Sequence, residues 1–135
     1  MAQAGYSGTP LIKKLGIKEN FKVLVHNYSG SYEKLLDGIP ESVRFGGRAP
    51  FDVIHFFTDS RKQLERQLPK LKKRVRQNGM IWVSWPKKAS QVPTDVTGDV
   101  VRGTALGLGL VDVKVCAVDQ VWSGLKLVIP VKDRC

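Results

Sequence analysis

The sequence predicts a single α/β domain in which a mostly parallel sheet is covered by helices. The first observation behind this is the stretch from Phe51 to Lys88, which reads as an apolar strand, a helix and a second apolar strand. Leu64, Leu68, Leu71 and Val75 recur at the spacing of one helical face. Two strands joined by a helix are parallel, and strands without polar alternation are covered on both faces.

The second observation is a pair of apolar segments near the C-terminus, Val111–Val118 and Leu125–Ile129. Their connection is too short for a parallel crossover, so we expect a hairpin whose last strand is antiparallel to the rest. The third is the length of 135 residues, which suits one domain. We therefore treat residues 1–135 as one domain, with loose tails at 1–10 and 131–135.

The N-terminal elements follow from local signals. Thr9 and Pro10 start a short helix that Gly16 ends. Residues 21–26, FKVLVH, form the first strand, and Ser31 caps a helix that extends to Asp37.

A short strand is predicted next, with Val43 and Phe45 as its apolar residues. If this strand lies on the far side of the first strand, the strand order reverses at the first strand. The crossover helices cover one face of the sheet. Two segments could cover the other face. One is the helix that Ser31 begins, if it leads to the short strand beyond the first strand, and the other is the turn at Leu11–Leu15.

The central helix is predicted between Ser60 and Gln77, and Ser60 with Gln63 matches a capping box. Pro69 should kink or split this helix, and Asn78–Gly79 should close it. Thr94 or Asp95 is expected to cap the next helix.

The positive charge is concentrated in the central helix. The chain has a net charge of +10, and residues 61–76 hold eight basic residues against Glu65 alone. Such a helix is either a solvated face or a surface for phosphate backbones, for which the candidate residues are Lys62, Arg66, Lys70 and Lys73. No recognisable nucleic-acid-binding module accompanies it, so nucleic acid is a possible partner that the sequence does not favour.

The composition also bears on compartment and metal content. The two cysteines, Cys116 and Cys135, do not form a disulfide framework, and Cys116 lies in an apolar run that indicates burial. No stretch approaches the about 18 apolar residues of a membrane span, and no Cys/His spacing suggests a metal site. We expect a cytoplasmic protein without membrane contact.

Candidate ligand-binding residues follow from a rule for open α/β sheets, in which ligands bind outside the carboxyl ends of the strands. Helix N-termini open toward the same edge and favour anions. The residues at these strand ends are Asn27, Ser29, Gly30, Asp59, Ser60, Trp85, Lys87 and Lys88. The expected partner is a small anion or a protein.

The strand end at Pro86 gives the most specific hypothesis. Proline cannot donate a ladder hydrogen bond, so the strand should stop there. Lys87 and Lys88, beside helix starts at Ser60 and Thr94, would then form a positive hollow for phosphate or carboxylate. The alternative is that both lysines are simply solvated.

Catalytic patterns are weak. His26 and His55 lie inside apolar strands, where a core histidine with a backbone partner is commoner than a catalytic base. There is no P-loop, no nucleophile elbow and no conspicuous carboxylate pair. These observations favour a non-catalytic binding or regulatory module, with an enzyme as an alternative.

The strand–helix–strand that contains NGMIWVSWPKK (78–88), together with the terminal hairpin, resembles the second half of class I methyltransferases. The resemblance implies that the chain supplies the first, fourth, fifth, seventh and sixth strands of that fold, with a vestige of the second. The S-adenosylmethionine site of that family needs a glycine-rich loop after the first strand and an acidic residue after the second. Residues 26–30 contain one glycine and residues 45–48 contain no acid, so S-adenosylmethionine is predicted to be an unlikely ligand.

Three longer strings, GYSGTPLIKKLGIK (5–18), WVSWPKKASQVPTDVT (82–97) and GLVDVKVCAVDQVWSGLKLV (109–128), resemble the bacterial domain-of-unknown-function family 3052. This resemblance implies a small Rossmann-like domain. It brings no activity or catalytic residue to carry over.

Overall fold

The computed structural model describes residues 9–135, and six strands within this range form one sheet. The strands are β1 (Lys22–His26), β2 (Arg44–Phe45), β3 (Phe51–Phe57), β4 (Val75–Pro86), β5 (Val111–Ala117) and β6 (Trp122–Val128). The helices are α1 (Leu11–Leu15), α2 (Tyr32–Leu36), α3 (Arg61–Lys72) and α4 (Gly98–Gly107), with 3-10 turns at Lys88–Ser90 and Val131–Asp133.

The strands lie in the order β2-β1-β3-β4-β6-β5. Strand β1 pairs in parallel with both β2 and β3, and β3 pairs in parallel with β4. Strand β6 is antiparallel to β4 and to β5. The predicted mixed sheet with an antiparallel last strand is therefore confirmed. The predicted reversal of strand order is also present, because β2 lies on the far side of β1.

Helices α3 and α4 cover one face of the sheet. Their buried residues pack with the strand residues of that face in one apolar cluster, and burying each large side chain stabilises the fold by about 1.5–3 kcal/mol. The helical contributors are Leu64, Leu68, Leu71, Val101 and Ala105, and the strand contributors include Ile54, Phe56, Ile81, Val83, Leu125 and Leu127.

Helices α1 and α2 cover the other face, as predicted for the two N-terminal segments. Leu15, Tyr32 and Leu36 are buried there in one cluster with strand residues such as Val53 and Trp82. The indole Nε1 of Trp82 donates a hydrogen bond to the carbonyl of Leu15 at 2.9 Å. This bond fixes the short helix α1 to the centre of the sheet.

The boundary between α3 and β4 differs from the prediction. The helix includes Pro69 without splitting, but it ends at Lys72, and β4 already begins at Val75. The reason is long-range pairing, because the amide of Phe51 donates to the carbonyl of Arg74 at 2.9 Å. The predicted turn at residues 78–79 therefore lies inside β4, within an irregular stretch of the register.

The start of α4 also differs from the prediction. Its N-cap is Thr97, whose hydroxyl accepts from the amide of Val100 at 3.2 Å. Thr94 and Asp95 do not cap this helix because both are bonded elsewhere. The Thr94 hydroxyl donates to the carbonyl of Asp59 in the turn before α3, and the Asp95 carboxylate accepts from the amide of Arg61, the first residue of α3. The first residue of α1 is Leu11 rather than the predicted Pro10. Residues 1–8, which include most of the predicted N-terminal tail, lie outside the described residues.

In residues 9–135 no helix combines the length and the apolar character that crossing a membrane requires. The same range contains no group of three or more His, Cys, Asp or Glu side chains placed to hold a metal ion.

Candidate functional site

Asn27 joins the end of β1 to the neighbouring elements. Its backbone has φ 72°, a left-handed conformation that asparagine tolerates better than most residues. The side-chain Nδ2 donates to the carbonyl of Phe57 at 2.9 Å and to Oε1 of Gln63 at 3.2 Å. Asn27 therefore fixes the exit of β1 against β3 and α3, and these two bonds engage its amide group.

The N-terminus of α3 is already capped. The hydroxyl of Ser60 accepts from the amide of Gln63 at 3.2 Å, which is one half of the predicted capping box. The other half is not formed, because the amide of Ser60 donates to the hydroxyl of Thr58 at 3.2 Å. Oδ1 of Asp95 accepts from the amide of Arg61 at 2.7 Å. The hydroxyl of Thr94 donates to the carbonyl of Asp59 at 2.7 Å. Because a carboxylate of the chain occupies this helix end, Ser60 does not offer free amides to an anion.

Four aromatic rings cluster at the carboxyl edge where β1 separates β2 from β3. We call Tyr28, Tyr32, Phe45 and Phe57 the edge aromatics. The ring of Tyr28 lies 4.6 Å from that of Phe57, and the ring of Tyr32 lies 6.1 Å from both Tyr28 and Phe45. Phe57 and Tyr32 are buried, whereas Phe45 is 45% exposed and Tyr28 is half-buried, so these two rings present an aromatic surface at the switch point of the sheet.

Tyr28 lies directly against Gly30. A Cβ atom added to Gly30 would come within 3.1 Å of the Tyr28 ring, so the absence of a side chain is what lets the ring lie there. Ser29 and Gly30 are exposed. Burial, and secondarily the charge of Asp119, raise the pKa of the Tyr28 hydroxyl above its usual value, which keeps that group neutral at this edge.

A separate cavity of about 490 Å³ lies at the carboxyl end of β4. The strand ends at Pro86, as predicted. Trp85 and Lys88 line this cavity. The other lining residues are Gln91, Val92, Pro93, Thr94, Val96 and Thr97. Lys87 and Ser60 are not among the lining residues, and the amide of Lys87 donates to the carbonyl of Val121 at 2.7 Å. The structure thus separates the predicted edge residues into two places.

The basic side chains of α3 point to solvent. Lys62, Arg66, Lys70 and Lys73 are all exposed, on the side of the helix away from the buried leucines. Within the described residues none of these four forms a salt bridge, whereas Arg61 pairs with Glu65 at 3.2 Å.

His55 is buried in a side-chain network rather than bonded to the backbone. Its Nδ1 lies 2.7 Å from the hydroxyl of Tyr32, and its Nε2 lies 2.7 Å from the hydroxyl of Ser84. Burial lowers the pKa of His55 to about 3. Histidine is therefore neutral here, and with no exposed surface it cannot reach a substrate. The prediction that His55 is a core histidine is confirmed, but its partners are side-chain hydroxyls and not the expected backbone group.

The edge aromatics are the feature that sequence reasoning missed. Tyr28 and Tyr32 are four residues apart across the start of α2. This spacing carries no signal, because α2 begins at Tyr32 and Tyr28 lies in the loop before it, outside any helical face. Phe45 gave no signal either, since a two-residue strand is too short for a pattern.

Support for the methyltransferase-like fold comes from solved structures and not from sequence families or curated proteins. No family model matches the chain, and no curated protein matches it. The resemblance to family 3052 accordingly stays a prediction.

The solved structures that resemble the chain include several methyltransferases. A TehB-like SAM-dependent methyltransferase from Corynebacterium glutamicum has a TM-score of 0.58 at 12% identity, over 94% of this chain and 91% of that one. The DhpI–SAH complex gives 0.59 at 12% identity, over 90% and 83%. Magnesium protoporphyrin IX methyltransferase from Synechocystis with bound SAM gives 0.58 at 8% identity, over 89% and 74%. At these identities the likeness shows the fold.

The prediction that S-adenosylmethionine is an unlikely ligand is wrong. It rested on two departures in loop sequence, the single glycine after β1 and the missing acid after β2. The sheet built by this chain matches methyltransferase-like structures that hold SAM or SAH. The loop departures do not alter the strand order at the switch point, where ligands of open α/β sheets bind.

Proposed function

We propose that this chain is a divergent S-adenosylmethionine-binding protein of the methyltransferase type, with its ligand at the carboxyl edge of β1, β2 and β3. The observation that carries the proposal is the switch point at β1 together with the aromatic surface there. The expectation of a non-catalytic module rested on the weak catalytic patterns and on the exclusion of this ligand, and the second of these supports is lost. Both cysteines are free, in keeping with the cytoplasmic location that we also propose.

The residues at this edge suit the chemistry of the ligand. An adenine ring stacks on aromatic faces, and a sulfonium cation is attracted to them, so Tyr28 and Phe45 would hold these parts. Gly30, which has no side chain, lets the Tyr28 ring pack directly against the backbone. The hydroxyl of Ser29 is exposed and could bond the amino-acid end of the ligand. When bound, S-adenosylmethionine supplies an electrophilic methyl group.

The departure after β2 changes how the ribose would be held. Phe45 is followed by Gly46 and Gly47, both with positive φ, where the family has an acidic residue. Among the carboxylates at the carboxyl edge, Asp59 is exposed, whereas Oδ1 of Asp119 accepts from the amides of Val121 and Trp122. We propose Asp59 as the group for the ribose hydroxyls.

The substitution Gly30→Val should weaken binding of S-adenosylhomocysteine at least about tenfold. The added side chain forces the Tyr28 ring from its present position, and one stacked base contributes about 1–3 kcal/mol. S-adenosylhomocysteine is the suitable probe because it cannot transfer a methyl group. Isothermal titration calorimetry on the parent chain and the variant measures both dissociation constants.

A matched control is Gly103→Val, which makes the same change at an exposed position with open space in α4. It should bind like the parent, and circular dichroism should show both variants folded. The absence of binding by the parent chain at millimolar ligand would refute the proposed function. Equal affinity of the Gly30→Val variant and the parent would refute the placement of the ligand.

The cavity beside Trp85 favours a second function, the binding of a small anion. We propose Lys88 as its charged group, because Lys88 lines the cavity and Lys87 does not. Replacing Lys88 by alanine should weaken inorganic phosphate binding about tenfold, as expected for a lost charge-assisted hydrogen bond. Replacing Lys87 removes the same charge from the neighbouring residue and should have little effect.

Phosphate titrations followed by amide NMR shifts measure both lysine variants. The melting temperature should hardly change in either, because exposed substitutions cost under about 0.5 kcal/mol. Phosphate shifts that are unchanged by Lys88→Ala, or that fall equally in both variants, would reject this cavity as the anion site.

A further inference from the structure

The amino-terminal edge of the sheet gathers cations that are far apart in the sequence. Strands β1 and β2 start side by side, with Lys22 paired to Arg44. The ammonium of Lys22 and the guanidinium of Arg74 each lie 5.3 Å from the centre of the Phe51 ring. Lys22 Nζ also donates to the carbonyl of Arg48. With Arg76, these residues form what we call the amino-edge cluster: Lys22, Arg44, Arg48, Arg74 and Arg76.

One carboxylate lies inside this cluster. Asp52 accepts from Arg76 Nε at 3.1 Å and from the amide of Lys22 at 2.8 Å. Glu19 and Glu41 lie in nearby turns, which are joined by a bond from the amide of Asn20 to Ser42. Neither glutamate forms a salt bridge in the described residues. The cluster therefore keeps a clear excess of positive charge.

The amino-edge cluster is continuous with the basic side of α3. Helix α3 begins at the carboxyl ends of the strands and ends at Lys72, two residues before Arg74, so Lys70 and Lys73 lie next to the cluster. Two members of the cluster, Lys22 and Arg44, also face the same side of the sheet as α3. Val23 belongs to the opposite core face, so its neighbour Lys22 points toward the α3 side, as does the paired Arg44.

We propose that this combined surface binds the phosphodiester backbone of nucleic acid. Concentrated exposed cations release counterions from a polyanion, which is the main source of sequence-independent binding. The aromatic residue within the cluster, Phe51, is fully buried and cannot stack on bases. Phe45 follows Arg44 but points to the α2 face, where its ring contacts Tyr32. Recognition through the cluster is therefore of the backbone and not of the base sequence.

An anionic membrane is the less favoured partner. Stable attachment to a lipid surface usually needs apolar side chains that insert beside the basic ones. The aromatic ring of the cluster is buried, so it cannot insert. Arg44 adjoins Phe45 of the proposed S-adenosylmethionine site, but duplex binding is measured without that ligand, so the two proposals can fail separately.

The double variant Arg44→Gln with Arg48→Gln tests the surface, since both side chains are exposed and neither forms a salt bridge in the described chain. Fluorescence anisotropy with a labelled DNA duplex is measured over a salt series. The parent should show a steep fall of affinity with salt. Losing two phosphate contacts should make the slope of log K against log salt shallower by about 1.8.

The matched control is Lys114→Gln with Lys126→Gln, which removes the same charge from paired positions on β5 and β6, at the other end of the sheet. Its slope should equal that of the parent, and two duplexes of unrelated sequence should bind alike. No duplex binding at low salt, an equal slope change in both double variants, or binding to phosphatidylglycerol vesicles but not to duplex would each overturn the proposal.

Discussion

Replacing Gly79 by alanine will lower the free energy of unfolding by about 2–3 kcal/mol, within the range found for overpacked cores. Gly79 is buried in β4, where the irregular pairing with β3 resumes its regular register. A Cβ atom there would lie 2.7 Å from the carbonyl oxygen of Asp52 and 3.1 Å from that of Phe51. These are backbone atoms, so the added methyl group can be accommodated only if the two central strands separate.

Urea unfolding followed by circular dichroism measures this change as a lower midpoint at constant slope. The control is Gly103→Ala, at an exposed helical position where nothing lies within 4 Å of the new Cβ. Alanine should stabilise α4 there by about 0.5–1 kcal/mol. A Gly79→Ala variant as stable as the parent would show that β3 and β4 are not packed as closely as the structure has them.

Gly79 also shows why prediction from the sequence misplaced the end of α3. Apolar runs and helical spacing are local patterns, so they identified β3, α3, the centre of β4 and the terminal hairpin. The end of α3 depends instead on the bond between the Phe51 amide and the Arg74 carbonyl, and on the space under Asp52 that only a glycine fits. Asn78–Gly79 looks like a helix stop because the local sequence contains no information about the strand that pairs with it.

Prediction of the candidate site had a similar limit. The rule that ligands bind at the carboxyl ends of strands requires only the direction of each strand. It therefore identified residues that do lie at one edge of the sheet. It could not divide them between the edge aromatics and the cavity beside Trp85. The division depends on contacts such as that of Asp95 with Arg61, which are 34 residues apart. The amino-edge cluster was missed for the same reason, since its members are brought together by strand pairing.

Lowering the pH from about 7.5 to 5 will destabilise the fold by about 2 kcal/mol through His55. Its pKa is about 3 in the folded chain, against the ordinary value of 6.5. Below pH 6.5 the unfolded chain takes up a proton on this residue that the folded chain does not accept. Stability from neutral His55 is therefore complete above pH 6.5 and is lost progressively toward pH 3, at about 1.4 kcal/mol per pH unit.

Burial keeps His55 neutral, and its hydrogen-bond partners do not. The hydroxyls of Tyr32 and Ser84 could both accept from a doubly protonated ring, so the hydrogen bonds alone do not prevent protonation. Burial also raises the pKa of the Tyr32 hydroxyl, so no tyrosinate is present to pair with an imidazolium. A charged ring in this position would lack both solvent and a counter-charge.

The variant His55→Gln separates the titration of the ring from its packing. It should be less stable than the parent at pH 7.5 by about 1–3 kcal/mol, because one amide cannot satisfy both hydroxyls. Its stability should then change little between pH 7.5 and 5, a range above most carboxyl titrations. Urea midpoints at several pH values measure both curves. An equal pH dependence in the variant and the parent, or NMR signals of the His55 ring that titrate near pH 6.5, would show that this histidine is not held neutral by burial.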